Sequence, residues 1–511
     1  MYKNILQYLE SKVQQNKEKP IFVENQKMVT REEFVKNSQK IGTYINQNTQ
    51  QEKKPIVIFI DKTINCLQAM MGVLYSGNFY TIIDTNSPKE RAEHILNTLN
   101  PIAIIIDEKN IKKAEKIGLL DKNIPILKTE EMLQKDEDIQ ILNEIRKRQI
   151  DTDLMYVLFT SGSTGIPKGT AISHRAVISY TNWVKDAFQI DENTIWGSQT
   201  PFYFSMSITD VFTTILTGAK LCIIPKMYFS FPIKLMEYLK ENSINTIYWV
   251  PSALNIVANL GALEGQELPA LKNVLFAGEV MPVKQLNMWR KQFPKIRYAN
   301  LYGPTETTDI CTYYVVDREF KNEESLPIGK KCDNCDVMII KEDGTEAKEG
   351  EQGELYVRGS FLANGYYNNI EKTQQVFVQN PLNKEYPEIC YKTGDIVKYN
   401  EKGELIYLSR KDFQIKHMGY RIELGEIENT VNNVDGMESC ACIYNSEKSH
   451  INLFYQAKKW EEEKLAVKLN SELLPYMRPN EIYKIDRMPY NANGKIDRVK
   501  LKEWGINGKI N

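Results

Sequence analysis

Thr160-Ser161-Gly162-Ser163-Thr164-Gly165-Ile166-Pro167-Lys168-Gly169 follows an apolar run of β character, Leu154-Met155-Tyr156-Val157-Leu158-Phe159, and precedes a segment of helical character at 176–188. Glycines in such a loop let the backbone turn tightly and approach a ligand closely. The Ser and Thr hydroxyls, the loop N–H groups and the Lys168 ammonium supply donors and positive charge. Together they suit an anion such as the phosphates of a nucleotide. A Walker A loop is excluded, because that pattern needs Gly-Lys-Ser/Thr and here Pro167 precedes the lysine and Gly169 follows it. Strand, glycine loop and helix in succession belong to an α/β fold.

The same alternation runs outward on both sides. Amphipathic stretches at 4–15 and 30–46, β-type runs at 55–60, 79–83 and 103–106, and helical patterns at 64–75 and 88–99 predict a mainly parallel sheet covered by helices. Beyond the loop, strands at 221–225, 246–250 and 273–277 and helices at 233–242 and 283–292 repeat the theme. From about 310 the strands shorten and Gly-rich turns appear, a smaller and more antiparallel subdomain. A new unit starts near 410, with helix, two strands and a helix before a loop-rich end. The expected fold class is α/β. It comprises a large N-terminal body, 1–410, of two mainly parallel helix-covered sheets plus a small β-subdomain, and an α+β C-terminal domain, 411–511.

Composition narrows the function. The chain has 511 residues, with 65 basic against 66 acidic side chains. That near-neutral balance argues against nucleic acid as a partner, because a phosphate backbone needs an excess of Lys and Arg. No apolar run is long enough for a membrane span and the start has no signal-peptide core, so a cytoplasmic protein is expected. Cys332-x-x-Cys335 has no second Cys or His pair at matching distance, so the eight cysteines read as thiols rather than a zinc or redox site. His94, His174, His417 and His450 are scattered, which gives no support to a Ser-His-Asp hydrolase.

Further motifs accompany the loop: Leu301-Tyr302-Gly303-Pro304-Thr305-Glu306-Thr307-Thr308, Tyr391-Lys392-Thr393-Gly394-Asp395, Ser409-Arg410-Lys411-Asp412-Phe413-Gln414-Ile415-Lys416, Gly419-Tyr420-Arg421-Ile422-Glu423-Leu424-Gly425-Glu426, and Asn493-Gly494-Lys495. In this order, over nearly the whole length, they resemble the adenylate-forming (AMP-binding) superfamily of peptide-synthetase adenylation domains, acyl-CoA synthetases and luciferases. The wording, including Phe276-Ala277-Gly278-Glu279, is most similar to D-alanine:D-alanyl carrier protein ligases and stand-alone amino-acid adenylating enzymes. The resemblance implies ATP and Mg²⁺ as cofactors, with AMP formed, and a two-step reaction that ends on the phosphopantetheine thiol of a carrier. No carrier signature occurs in the chain, so the carrier is expected to be a separate protein.

The resemblance also assigns roles. Thr160, Ser161, Gly162, Ser163, Thr164, Gly165 and Lys168 would hold the β- and γ-phosphates, Glu306 would bind Mg²⁺, and Thr305 or Thr307 would contact the α-phosphate. Tyr302 would stack on adenine, flanked by Gly278, Glu279, Asn300, Leu301 and Gly303. Asp395 would take the ribose hydroxyls, with Arg410 near ribose or phosphate. Lys495 would bridge the substrate carboxylate and the α-phosphate. Asp412 would be the hinge of a mobile C-terminal domain, and Gly419 would line the pantetheine tunnel.

The acid pocket departs from the pattern. Relatives that activate amino acids carry an Asp after the pocket Phe to pair the α-ammonium; here Phe204 is followed by Ser205. A hydroxyl cannot neutralise a buried ammonium. Ala277 stands where the D-alanine branch has Cys, and Asp309 would point into the pocket. Either Asp309 (or Asp210) supplies the missing charge, or the substrate is an aryl, hydroxy or aliphatic acid. Free CoA as acceptor is the alternative to a carrier protein, and a catalytically silent nucleotide-binding protein is a third reading.

Overall fold

The computed structural model describes residues 2–162, 166–411, 414–446, 448–490 and 496–507. Among these residues, nine strands form the largest sheet, in the order Lys330–Lys331, Thr312–Val315, Arg297–Tyr302, Asn273–Phe276, Thr246–Trp249, Ile195–Ser198, Lys220–Ile223, Pro20–Glu24, Lys27–Thr30. The run from Arg297–Tyr302 to Pro20–Glu24 is parallel, and antiparallel strands finish both edges. A second sheet of seven strands runs Gly365–Tyr366, Lys168–Ser173, Leu154–Thr160, Phe79–Ile82, Pro55–Phe59, Ala103–Ile106, Ile126–Lys128. Its central strands carry runs such as Ile56-Val57-Ile58-Phe59, buried on both faces as helix-covered parallel strands require. The helix Ile64–Tyr75 lies buried against them, its first turn held by Thr63 Oγ1, which accepts from Cys66 N at 3.3 Å.

A third, antiparallel sheet holds Cys335–Ile340, Gln352–Gly359, Ile389–Tyr399, Phe377–Gln379 and Leu405–Arg410. Past residue 413 the chain forms the hairpin Gln414–His417/Tyr420–Glu423. A three-stranded sheet follows (Met437–Asn445, His450–Ala457, Glu481–Lys484) with the helices Leu424–Asn432, Glu462–Glu472 and Arg498–Asn507. The apolar cluster formed by Ile422, Ile427, Val431, Leu453, Leu465 and their neighbours is separate from the large one of the preceding sheets. All eight cysteines are free and buried. Among the described residues, no helix is long and apolar enough to cross a membrane.

The glycine loop differs from its sequence reading in one respect. It is the turn of a β-hairpin, with Lys168 opening a return strand, Lys168–Ser173, that pairs antiparallel with Leu154–Thr160 and puts Lys168 opposite Thr160. The helix that follows, His174–Phe188, begins only after that strand, capped by Ser173, which accepts from Ala176 N at 3.3 Å. In this hairpin a strand, not a helix N-terminus, therefore follows Pro167. Gly162 is required there, since a Cβ would collide with the Ile166 carbonyl oxygen.

Candidate active site

The parallel strands of the large sheet end at one edge. There the segments after Ile195–Ser198, Asn273–Phe276 and Arg297–Tyr302 meet the hairpin loop, the strand Ile389–Tyr399 and the hairpin 414–423. The crevice outside the carboxyl ends of parallel strands is where α/β folds bind ligands.

Glu306 is fully buried on the turn Thr305–Thr307. Its Oε1 accepts from the Tyr366 hydroxyl at 2.6 Å, its Oε2 meets the Arg421 guanidinium at 2.6 Å, and Lys168 Nζ lies 3.9 Å away. Burial alone would raise its carboxyl. Arg421, then Lys168, more than offset that and bring it to about 2. Lys168 Nζ also lies 3.7 Å from Glu423 and over the Tyr366 ring, and burial with Arg421 nearby lowers its ammonium to about 8. Ser161 Oγ donates to the Arg421 carbonyl at 2.6 Å and accepts from Glu423 N at 3.1 Å. The loop and Glu306 are thus both engaged by the hairpin 414–423. The Thr160 hydroxyl is buried without a partner among the described residues.

On the opposite wall, Asp395 accepts from the Tyr302 hydroxyl and from Arg410 NH1 at 2.9 Å. Lys416 Nζ sits 4.7 Å from the centroid of the Tyr302 ring, and burial lowers its ammonium although Asp395 supports it. Gly278 and Gly303 line the cleft. Asn300 spends its amide on the Pro327 carbonyl at 2.8 Å, Leu301 is buried, and Glu279 caps the helix Pro251–Asn259 by accepting from Ser252 N at 2.8 Å.

The acid pocket lies between these walls. Ser205 Oγ is 3.3 Å from Thr305 Oγ1, and Phe204 meets Tyr420 edge to face at 4.7 Å. Ala277 and Asp309 line the same space. Asp309 is 2% exposed, and its Oδ2 accepts from Thr209 (2.7 Å), Tyr180 (3.0 Å) and Tyr248 (3.1 Å). Burial pushes its carboxyl up to about 6, and hydroxyls, Ser205 among them, only partly restrain it. Thr308 before it has φ 67° and ψ −55°, with Asp309 N bonded to the Thr307 carbonyl at 2.8 Å. That is the strained γ-turn form, rare for a β-branched residue and typical of functional sites.

Gly419, at φ +80°, turns the hairpin into this space beside Gly278, and a Cβ there would collide with Val250. Tyr420 stacks on Tyr476 at 3.5 Å, and Arg91 binds Glu426 at 2.7 Å across the same junction. Ser163, Thr164, Gly165, Asp412 and Lys495 lie outside the described residues. Sequence reasoning gave no role to Arg421, Tyr366, Lys416 or Glu423. Three of these sit in or beside the Gly419-Tyr420-Arg421-Ile422-Glu423 run, whose two alternating charges were the available signal.

Among the described residues, no group of three or more His, Cys, Asp or Glu side chains forms a metal cage. Mg²⁺ needs less from the protein, one or two carboxylates together with substrate phosphates. Glu306, ionised and beside the loop, is a carboxylate of that kind, paired here with Arg421.

These features belong to an enzyme cleft, and the chain belongs to the AMP-binding enzyme family, whose model matches residues 9–367. It is an adenylate-forming ligase. It is 30% identical to the D-alanine–D-alanyl carrier protein ligase of Lacticaseibacillus casei, over 89% of this chain and 90% of that one. It is 29% identical to zwittermicin A synthase ZmaJ of Bacillus cereus, over 93% and 90%. The fold matches the Vibrio cholerae adenylation domain AlmE, solved with glycyl-adenosine-5′-phosphate, with a TM-score of 0.84 at 22% identity, covering 100% of this chain and 98% of that one.

Proposed function

We propose that the protein activates a small carboxylic acid, an amino acid in the leading reading, as its acyl-adenylate, and passes it to the phosphopantetheine thiol of a separate carrier protein. In the first step a carboxylate oxygen attacks the α-phosphorus of ATP, and pyrophosphate leaves with the electrons of the broken P–O bond. In the second the thiol, giving its proton to water, attacks the acyl carbon and AMP leaves. Thr160, Ser161 and Lys168 hold the departing phosphates, with Ser163, Thr164 and Gly165 beside them. Asp395 and Tyr302 hold ribose and adenine, Thr305 faces the α-phosphate, and Glu306 holds the metal. When bound, Mg²⁺ neutralises phosphate charge. Lys495 supplies the cation for the charge that develops at the α-phosphate.

One observation carries the second step: the hairpin 414–423 lies over the cleft, with side-chain-free Gly419 between Val250 and Gly278. Gly419 is packed against both, so in this reading the hairpin parts from Val250 to open a path for a narrow thiol arm, and a side chain at 419 would narrow it. The reading takes residues 411–511 as a domain that moves about Asp412, delivering Lys495 for one step and Gly419 for the other. The carrier-ligase names of the relatives support the acceptor. The test supplies ATP, candidate acids and either a holo-carrier protein or free CoA, and reads the acylated product by mass. Acylated carrier is the expected result. Acylated CoA with no acylated carrier would replace it with the CoA-ligase reading.

A further inference from the structure

The buried acids of the cleft and its rim differ in one respect. Glu306 faces Arg421, Asp395 faces Arg410, Glu423 faces Lys168, and Glu426 faces Arg91. Asp210, behind the pocket, has its charged form supported by Lys62. Asp309 has hydroxyls alone: Thr209, Tyr180 and Tyr248, with Ser205 beside them. It pairs with no cation among the described residues, although it is as buried as the rest and is held in place by a strained turn at Thr308. A buried carboxylate that the fold leaves without a cation either takes up a proton or is matched by a cation from a ligand, and a pocket-lining one is open to the second.

Depth sets where that cation lies. Half-buried Ser205 bonds Thr305 on one side and reaches Asp309 on the other, so with Thr305 facing the α-phosphate, as proposed above, Asp309 lies beyond Ser205. An ammonium at the α-carbon would lie by the uncharged Ser205. One set a carbon or two farther on meets Asp309, with hydroxyl oxygens for its remaining donors. Resting on the adenylation reading above, we infer that the enzyme's acid is a short β- or γ-amino acid whose ammonium is bound by Asp309.

ATP–pyrophosphate exchange with 3-aminopropanoate, 4-aminobutanoate, glycine, D-alanine, propanoate and butanoate tests this. The expected kcat/KM for the best β- or γ-amino acid is about 100-fold or more above that for its uncharged counterpart, since a site built for a polar group strongly rejects the analogue lacking it. Asp309→Asn should collapse that ratio while the protein melts no lower than the wild type. Ser205→Asp should shift preference towards glycine or D-alanine. Exchange fastest with an α-amino or uncharged acid, or a ratio indifferent to Asp309→Asn, overturns the inference and leaves adenylation standing. Exchange with no acid at all overturns the adenylation reading too.

Discussion

Asp309 and Glu306 share one short turn, yet their carboxyls move in opposite directions. Glu306 has Arg421 and Lys168 against it and stays ionised down to about 2. Its contribution to stability is full above the usual carboxylate range and is lost as pH falls through about 2. Asp309 has only hydroxyls, with Asp210 as a like-charged neighbour, and is raised to about 6. Its folded form binds a proton more tightly than the unfolded chain does. The stability it lends is therefore full below its unfolded value of 3.8 and disappears as pH rises through about 6. At pH 8 the ionised group costs the fold on the order of 3 kcal/mol, a shift of about two pKa units at 1.36 kcal/mol each. Asp309→Asn should accordingly raise the urea midpoint at pH 8 and give little gain at pH 4. A lower midpoint at pH 8 would mean that the carboxylate serves the fold rather than a ligand.

At the scale of elements, the hairpin 414–423 ties the C-terminal unit to the cleft. Its Arg421 guanidinium and backbone hold Glu306 and Ser161, and its turn fits Val250 with no room for a Cβ. Gly419→Ala should leave pyrophosphate exchange within a few-fold of wild type and lower the rate of thioester formation by about 10-fold or more, from the overpacking cost of a methyl group against Val250. Equal losses in both assays would detach Gly419 from the second step. The hairpin's position was only partly legible. Its residues were in view as a motif, but Lys416 over Tyr302 and Arg421 against Glu306 are contacts between distant segments, on which local periodicity is silent. The return strand Lys168–Ser173 was hidden for a different reason. It is short, carries Gly169, and runs straight into a capped helix whose pattern dominates the window.

Across the whole molecule, sequence patterning gave the alternating sheets and the motif order, because each rests on neighbouring residues. The relative placement of the C-terminal unit rests on pairs such as Arg91–Glu426, 335 positions apart, which are mostly buried at 12% and 9% exposure. Arg91→Ala strands Glu426 without its cation, a loss of about 3–5 kcal/mol for a buried pair. The unit should then swing away from the body, a change visible by small-angle scattering as a larger radius of gyration in the ligand-free protein. An unchanged profile would mean that Tyr420 on Tyr476 and Arg421 on Glu306 suffice to hold it. Lys495→Ala should slow pyrophosphate exchange by about 10²-fold, the scale of one lost transition-state contact, with ATP binding measured separately by calorimetry. Exchange at the wild-type rate would remove Lys495 from the chemistry. The Glu306 carboxylate, finally, belongs to both units at once. Arg421 already satisfies it, and Ser161 beside it is spoken for by the same hairpin. Arg421 is thus the cation of that carboxylate in this arrangement, and under the proposed reading a metal at Glu306 would compete with it, so that loading the metal and parting the two units would be one event.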